Sequence, residues 1–264
     1  PYHAMPDARS RYEQTPPQEP ARISEAGRFV GTIFSPGETF EDINRKPSWV
    51  VPLLIAIATA LAFTWFLYWH FSAGMDQFLR KTLAERAAQS GGPPPSGEQL
   101  QLSLKITKWV GFAFALIGPV VANLAIAGVL ALGMVMMQAK TTFKKIFSVV
   151  LWSGVATGVV QIIVIIASVM VRGSDSDAAF NPRNIGSLSA TNLGAFLPSG
   201  TSAPLTALAS SIDVFSIWFL ILLIIGLTAI SGSRKISKGS MAGLVIGLWL
   251  VTVILKVCWA AIFG

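Results

Sequence analysis

Hydrophobic residues form long uninterrupted runs over most of the chain, while polar residues gather near its beginning and between the runs. An α-helix needs about 20 consecutive apolar residues to cross the hydrocarbon of a bilayer. Several runs meet this requirement. The pattern therefore predicts an all-α membrane protein, a five-span transmembrane helical bundle occupying residues 49–263, with spans at about residues 49–71, 109–137, 146–171, 212–230 and 241–263.

The amino-terminal part has a different pattern. Residues 1–20 are rich in Pro, Gln, Glu and Arg, so we expect a disordered cytoplasmic tail. In residues 21–48, apolar side chains such as Ile23, Val30 and Ile33 recur at helical spacing among charged ones. This spacing predicts amphipathic helices that lie at the membrane interface before the first span.

A second short helix is predicted to begin after Ser35, which is a good N-cap residue. Pro36 suits the first helical position, and Glu38 stands three residues after Ser35, as in a capping box. Pro47 should end this helix.

Two long connections separate the spans. Residues 72–108 contain a predicted surface helix at about 75–89 and a break rich in Gly and Pro at 91–97. Residues 172–211 are rich in Ser, Gly, Ala and Asn, and we expect them to be mobile, with 193–197 touching the membrane.

Two short connections indicate the orientation. Residues 138–145 and 232–240 each carry three basic side chains and no acidic one. Cytoplasmic loops of membrane proteins carry an excess of Lys and Arg. We therefore expect a multi-pass protein of the plasma (inner) membrane with its amino terminus in the cytoplasm and its carboxyl terminus outside.

Composition supports this interpretation. Only 12% of residues are charged, against about 25% in a typical soluble domain. The formal charge of +7 falls largely at the ends of apolar runs, where topology explains it better than a nucleic-acid partner does. Cys258 is the single cysteine, which excludes an intrachain disulfide and a cysteine-rich metal site.

Glycines four residues apart mark two candidate helix-packing faces. Gly154 and Gly158 lie in the third span, while Gly239, Gly243 and Gly247 lead into the fifth. Glycine at this interval allows a close approach of another helix backbone. The partner helix could belong to this chain or to a second copy.

Two polar pairs lie within the spans. Asn123 and Gln161 are about equally far from the turn between the second and third spans, so a hydrogen bond or a polar cavity lining is expected. Asp213 and Lys256 lie near the same outer interface, because a lysine stem can extend toward the headgroups. This pair could be an architectural clamp or part of a proton or substrate relay.

Catalytic motifs are absent from the sequence. No phosphate-binding Gly-x4-Gly-Lys-Ser/Thr, His-Glu-x-x-His or Gly-x-Ser-x-Gly pattern occurs. Asp175 and Asp177 supply too few oxygen ligands for a calcium loop. We therefore expect no catalytic residue, no cofactor and no metal site, and a protein that is not an enzyme.

The segment at residues 33–43, Ile-Phe-Ser-Pro-Gly-Glu-Thr-Phe-Glu-Asp-Ile, resembles the start of the Yip-domain (Rab/Ypt-interacting protein-like) integral membrane family, bacterial branch. Asp213-x-Phe215-x-x-Trp218 is similar to a second recurring patch. The Asp-Leu-Tyr-Gly-Pro signature of the eukaryotic, Rab-interacting relatives is absent, so Rab binding is not implied. The resemblance implies a non-enzymatic membrane protein, and at the entry to the first span it rests on Phe34, Pro36, Thr39 and Phe40, followed by Pro47.

Two classes of function follow. The first is a scaffold, adaptor or accessory subunit that binds the lipid bilayer and other membrane proteins, with possible self-association and no nucleic acid. The alternative is a small-solute or ion transporter or channel that uses the polar pairs. We also expect residues 34–52 to dock on the short loops, with acidic side chains facing Lys144 and Arg234; these acids are Glu38, Glu41 and Asp42.

Overall fold

The computed structural model describes residues 22–93, 95–172, 188, 191–198, 200–232 and 236–263. The predicted tail at residues 1–20, the Asp175–Asp177 region of the second long loop and Arg234 lie outside the described residues. Within the described ranges, the chain is built from α-helices, and the pairing between Asn192 and Asp213 is an isolated bridge.

The helices of the described residues agree with the predicted all-α class. In chain order they are α1 (Glu25–Phe34), α2 (Pro36–Arg45), α3 (Val50–His70), α4 (Ser72–Ser90), α5 (Gly97–Met136), α6 (Phe143–Arg172), α7 (Ala203–Ser211), α8 (Val214–Ile230) and α9 (Lys238–Phe263), with a 3₁₀ turn at Leu193–Phe196 before α7.

Among the described residues, α3, α5, α6 and α9 are long and apolar enough to cross a membrane, judged by length and composition. Helix α8, in the predicted span 212–230, is a shorter apolar helix of 17 residues. Its length is about 26 Å at 1.5 Å per residue, against about 30 Å of hydrocarbon. The count of five spans therefore stays a prediction.

Helix α5 begins twelve residues before the span predicted at 109–137. Ser96 and Gln99 form a capping box, in which each side chain accepts a hydrogen bond from the other residue's backbone N–H. The whole helix, which includes Pro119, has 40 residues and is about 60 Å long. Because this is about twice the thickness of the hydrocarbon, part of α5 must extend beyond the bilayer.

Helix α6 lies at the centre of the bundle. It packs against α1, α2, α3, α5 and α8. The larger core cluster lies where α2, α6 and α8 meet, and a smaller one lies at the other end of α3. Fully buried large side chains of the first cluster include Trp152, Phe40, Ile43, Leu222, Leu227 and Met241.

The predicted glycine faces are not the places of closest helix approach. A β-carbon added at Gly158, Gly243 or Gly247 would meet no atom within 4 Å, and one at Gly239 would meet only Ser237. At Gly154 the nearest atom is Asn123 Oδ1 at 3.5 Å, an ordinary contact. Within the described chain, the α9 glycines therefore have no partner helix.

Close helix approaches occur instead at Gly133 in α5, where a β-carbon would collide with Leu244 of α9, and at Gly226 in α8. A β-carbon at Gly226 would lie 2.5 Å from Val149 Cγ1 and 3.1 Å from Phe40 Cδ1. Repetitive spacing in the sequence did not indicate either glycine, because one close contact needs only one small residue.

Gly226→Ala and Gly243→Ala should shift stability in opposite directions. Alanine is favoured over glycine in a helix by about 1 kcal/mol, and Gly243 has open space around it. At Gly226 the added methyl group must displace Val149 and Phe40, and overpacking typically costs about 1–3 kcal/mol. Thermal unfolding in mild detergent measures both; equal shifts in the two variants would contradict the packing described here.

Candidate functional site

We call α1, α2 and the turn as far as Ser48 the amino-terminal platform. Helix α1 packs on α6, and α2 packs on α8 and α6. The platform contains the segment that resembles the Yip-domain family, so the site is described from here.

Ser35 separates the two platform helices. It ends α1, with its N–H bonded to the Gly31 carbonyl, and it is the N-cap residue of α2. The predicted capping box is wrong, because the Ser35 side chain makes no capping hydrogen bond; instead its carbonyl accepts from Thr39 Oγ1 at 3.0 Å. Pro36 takes the first helical position as predicted, and α2 ends at Arg45, before Pro47.

Arg28 is completely buried in the platform. Its Nε and Nη2 donate to Asp42 Oδ2 at 3.0 and 2.8 Å. Nη1 donates to Glu25 Oε1 and Ser48 Oγ, and Nη2 also donates to the Lys46 carbonyl. Arginine has five N–H donors, and these five bonds account for all of them.

Asp42 is the acidic centre of this group and is 1% exposed. Its Oδ1 accepts a hydrogen bond from the backbone N–H of Arg22 at 2.8 Å. Burial by itself would raise the pKa of Asp42, but this N–H and the Arg28 guanidinium stabilise the charged form, and the pKa lies below its ordinary value. Asp42 is therefore an ionised partner of Arg28.

Ser48 links this network, which we call the Arg28 cluster (Arg28, Asp42, Glu25 and Ser48), to the bundle. Its Oγ donates to Glu25 Oε2 at 2.9 Å. Its carbonyl accepts from Nε1 of Trp152, which is fully buried in α6, at 3.2 Å. The platform is thus tied to the central helix by a polar contact as well as by apolar packing.

The family-like residues have distinct positions. Phe40 is fully buried against α6 and α8, and Thr39 fits against Gly31, where a β-carbon would collide with its Oγ1. Phe34 is 79% exposed. The segment therefore combines residues that hold the platform in place with one that faces outward.

The platform contacts the short loop 138–145 through Asn44, and the expectation that Glu38 and Glu41 face the loop cations stays a prediction. Lys145 Nζ donates to Asn44 Oδ1 at 2.7 Å, and Asn44 Nδ2 donates to the Ala229 carbonyl at 3.2 Å. The prediction that Asp42 faces the loop cations is wrong, because the carboxylate is enclosed by Arg28. The docking contact uses Lys145 in place of Lys144 and an amide in place of a carboxylate.

The polar residues within the spans do not meet. Asn123 Nδ2 donates to the Pro119 carbonyl of its own helix at 2.7 Å, and no hydrogen bond joins it to Gln161 in the described chain. The expected bond is therefore not formed, because the preceding turn of α5 offers the amide a nearer acceptor. Gln161 is partly exposed on α6.

Asp213 and Lys256 also have separate partners. Asp213 is the N-cap residue of α8: its Oδ1 accepts from the N–H groups of Phe215 and Ser216, and its Oδ2 accepts from Thr191 Oγ1. Lys256 Nζ donates to Ser210 Oγ and Ser211 Oγ, both at 3.2 Å. Among the described residues no ion pair joins the two, so the expected clamp is not formed.

This geometry favours structure over chemistry. The five N–H donors of Arg28 are all used within the platform, and the Ser48 hydroxyl donates to Glu25, so these groups hold the platform together. In the part of the chain that the structure describes, no three His, Cys, Asp or Glu side chains could together hold a metal ion. The sequence carried one signal for the cluster, since Glu25 and Arg28 stand three residues apart, a spacing at which opposite charges pair on a helix.

The similarity to known proteins begins in the platform and extends through the bundle. The family model of the Yip1 domain matches residues 30–260, from within α1 to within α9. The chain is 26% identical over 228 residues to "Membrane protein YknW" of Bacillus subtilis (strain 168), which corresponds to 86% of this chain and 89% of the relative. No solved structure matches the chain.

Proposed function

The chain belongs to the Yip1-domain family of membrane proteins, and from this premise we propose that it is a non-enzymatic scaffold, adaptor or accessory subunit for other membrane proteins. Neither the family's description nor the relative's name indicates catalysis. We further propose that it lies in a bacterial inner membrane with its amino-terminal platform at the cytoplasmic face, because the basic short loops lie at that end.

The observation that carries this proposal is the length of α5. Its first twelve residues, 97–108, precede its long apolar run and add about 18 Å of helix. Together with α4, this part forms a helical arm at the end of the bundle opposite the platform, since α3 separates the two. We call α4 and residues 97–108 the α4–α5 arm.

An apolar stripe that starts on this part of α5 and continues to Trp109 is uncovered. Leu102, Ile106 and Trp109 follow one another at helical spacing and are 57%, 53% and 67% exposed. Leu100 is buried, while Thr107 accepts a hydrogen bond from Tyr68, so the opposite side faces the protein. A stripe of this kind at the membrane edge suits the helix of a partner protein.

A transporter or channel receives less support. Asn123 and Lys256 each bond to a neighbouring group, and Asp213 is occupied as a helix cap. No shared polar path connects these side chains in the described structure, whereas transport of a polar solute needs one.

Site-specific photo-crosslinking tests the proposal. A photoreactive amino acid at Ile106, introduced into the full chain in its native membrane, should give discrete protein adducts that mass spectrometry can identify. The same amino acid at Gln101, an exposed polar position on the same helix, is the matched control. Adducts only with lipid at position 106, or the same adducts at both positions, would overturn the proposal.

A further inference from the structure

A groove opens between α5, α8 and α9, at the lipid-facing side of the bundle. Its volume is about 370 Å³, within the range of about 300–1,000 Å³ that is common for ligand sites. The wall is apolar along most of its length, with Val129, Leu220, Leu248 and Trp249 among its residues. Such a wall suits a hydrocarbon chain.

One end of the groove is polar. Ser216 and Thr252 lie there, each about 10 Å along its helix from the apolar end formed by Leu223 and Val245. Lys256 follows Thr252 by one helical turn, so the ammonium group lies beyond this polar end. The groove thus runs from an apolar interior toward a positive charge.

The charge of Lys256 is not neutralised within the described residues. Its Nζ donates to two serine hydroxyls, and an ammonium group has three N–H donors, so one is left for a ligand. The nearest acid in sequence position, Asp213, accepts three bonds of its own and forms no ion pair with Lys256. Lys256 is exposed, so a headgroup can reach it.

We propose that the groove binds an acyl chain of an anionic phospholipid and that Lys256 Nζ binds the phosphate group of the same lipid molecule. The apolar wall supplies the site for the chain. The ammonium group at the polar end, which has one N–H left and no ion-pair partner among the described residues, supplies the site for the phosphate. Neither the apolar wall nor the ammonium group alone is specific for this ligand. The alignment of the two along α9 makes the site specific.

Native mass spectrometry of the full chain in mild detergent tests the proposal. The wild type should retain phosphatidylglycerol more tightly than phosphatidylcholine with identical acyl chains. Lys256→Ala should weaken phosphatidylglycerol binding about fivefold, the effect of one lysine near an anionic lipid surface. Lys256→Arg should preserve the preference, since the positive charge remains.

Two matched variants separate this site from general lipid contact. Lys108→Ala removes an exposed lysine at the same end of the bundle and should leave lipid retention unchanged. Ala125→Trp fills the groove from an exposed position and should cause loss of retention of both lipids; Val129→Trp, also exposed, serves if the first variant does not fold.

Equal weakening by Lys256→Ala and Lys108→Ala would overturn the proposal, because it would indicate attraction to surface charge alone. Retention that persists with the groove filled would also overturn it, because the acyl chain would then lie elsewhere. Inorganic phosphate at millimolar concentration should not displace the lipid; displacement would indicate a site for the free anion.

Discussion

Replacing Arg28 by alanine is expected to lower the free energy of opening of the amino-terminal platform by about 3–5 kcal/mol, the usual cost of breaking a buried ion pair. Asp42, which is 1% exposed beside Arg28, would lose the two guanidinium bonds that now neutralise its charge. Amide hydrogen exchange over α1 and α2, measured in mild detergent, reports this local opening separately from unfolding of the spans.

Arg22→Ala is the matched control. Arg22 contacts the same carboxylate, but through its backbone N–H, and its side chain is exposed. This variant should therefore leave the exchange of α2 within about 0.5 kcal/mol of the wild type, as most surface substitutions do. If Arg22→Ala and Arg28→Ala had equal effects, the buried guanidinium would not be what holds the platform.

The pH dependence checks the same pair. Because the folded-state pKa of Asp42 is lowered, its stabilising contribution is complete above the ordinary carboxyl pKa of about 4 and is lost as the pH falls through the lower folded value. The wild-type platform should keep its exchange protection from pH 7 to pH 5. In Arg28→Ala, burial without the guanidinium raises the carboxyl pKa, so protection should instead rise as the pH falls, because protonation in the folded state removes the unpaired buried charge.

The sequence was sufficient for features that depend on the order of residues along one helix. The positions of the apolar runs predicted α3, α5, α6 and α9, and the break after residue 90 was visible in its Gly and Pro content. Gly91 ends α4 with φ at +68°, a left-handed conformation that glycine adopts without strain. The capping role of Ser96 was not predicted, although its capping box explains why α5 begins so early.

Features that depend on the direction of a side chain around its helix were not predictable in the same way. Counting residues from a turn gives the depth of Asp213 and Lys256 but not the side of the helix on which each lies. The amphipathic pattern of α1 likewise gives a polar face without saying what it meets. For Arg28 that face meets Asp42 and not water.

Packing of α1 and α2 decides which platform groups remain exposed. The polar face of α1 is hydrogen-bonded within the Arg28 cluster, and the apolar face of α2 packs against α6 and α8. Outward-facing groups such as Phe34 are then left to contact lipid or a partner. The two phenylalanines of the family-like segment therefore have different roles. Phe40 holds the platform on the bundle, and Phe34 faces outward.

Phe40→Ala is expected to destabilise docking of the platform by about 3–5 kcal/mol, the usual loss for a buried phenylalanine. Phe40 is 0% exposed, and its ring lies against Gly226, so truncation leaves a cavity between α2 and α8. Hydrogen exchange over α2 and the thermal unfolding temperature in detergent should both report the loss.

Phe34→Ala makes the same chemical change within the same family-like segment, at a side chain that is 79% exposed. Since no internal packing is removed, the exchange protection of α2 should stay within about 0.5 kcal/mol of the wild type. Under the proposed function, this variant instead weakens the contact of position 34 with lipid or a partner protein. That contact should change while the fold does not. A loss of protection in Phe34→Ala as large as that in Phe40→Ala would mean that the two residues share one structural role, and the assignment of different roles to them would have to be abandoned.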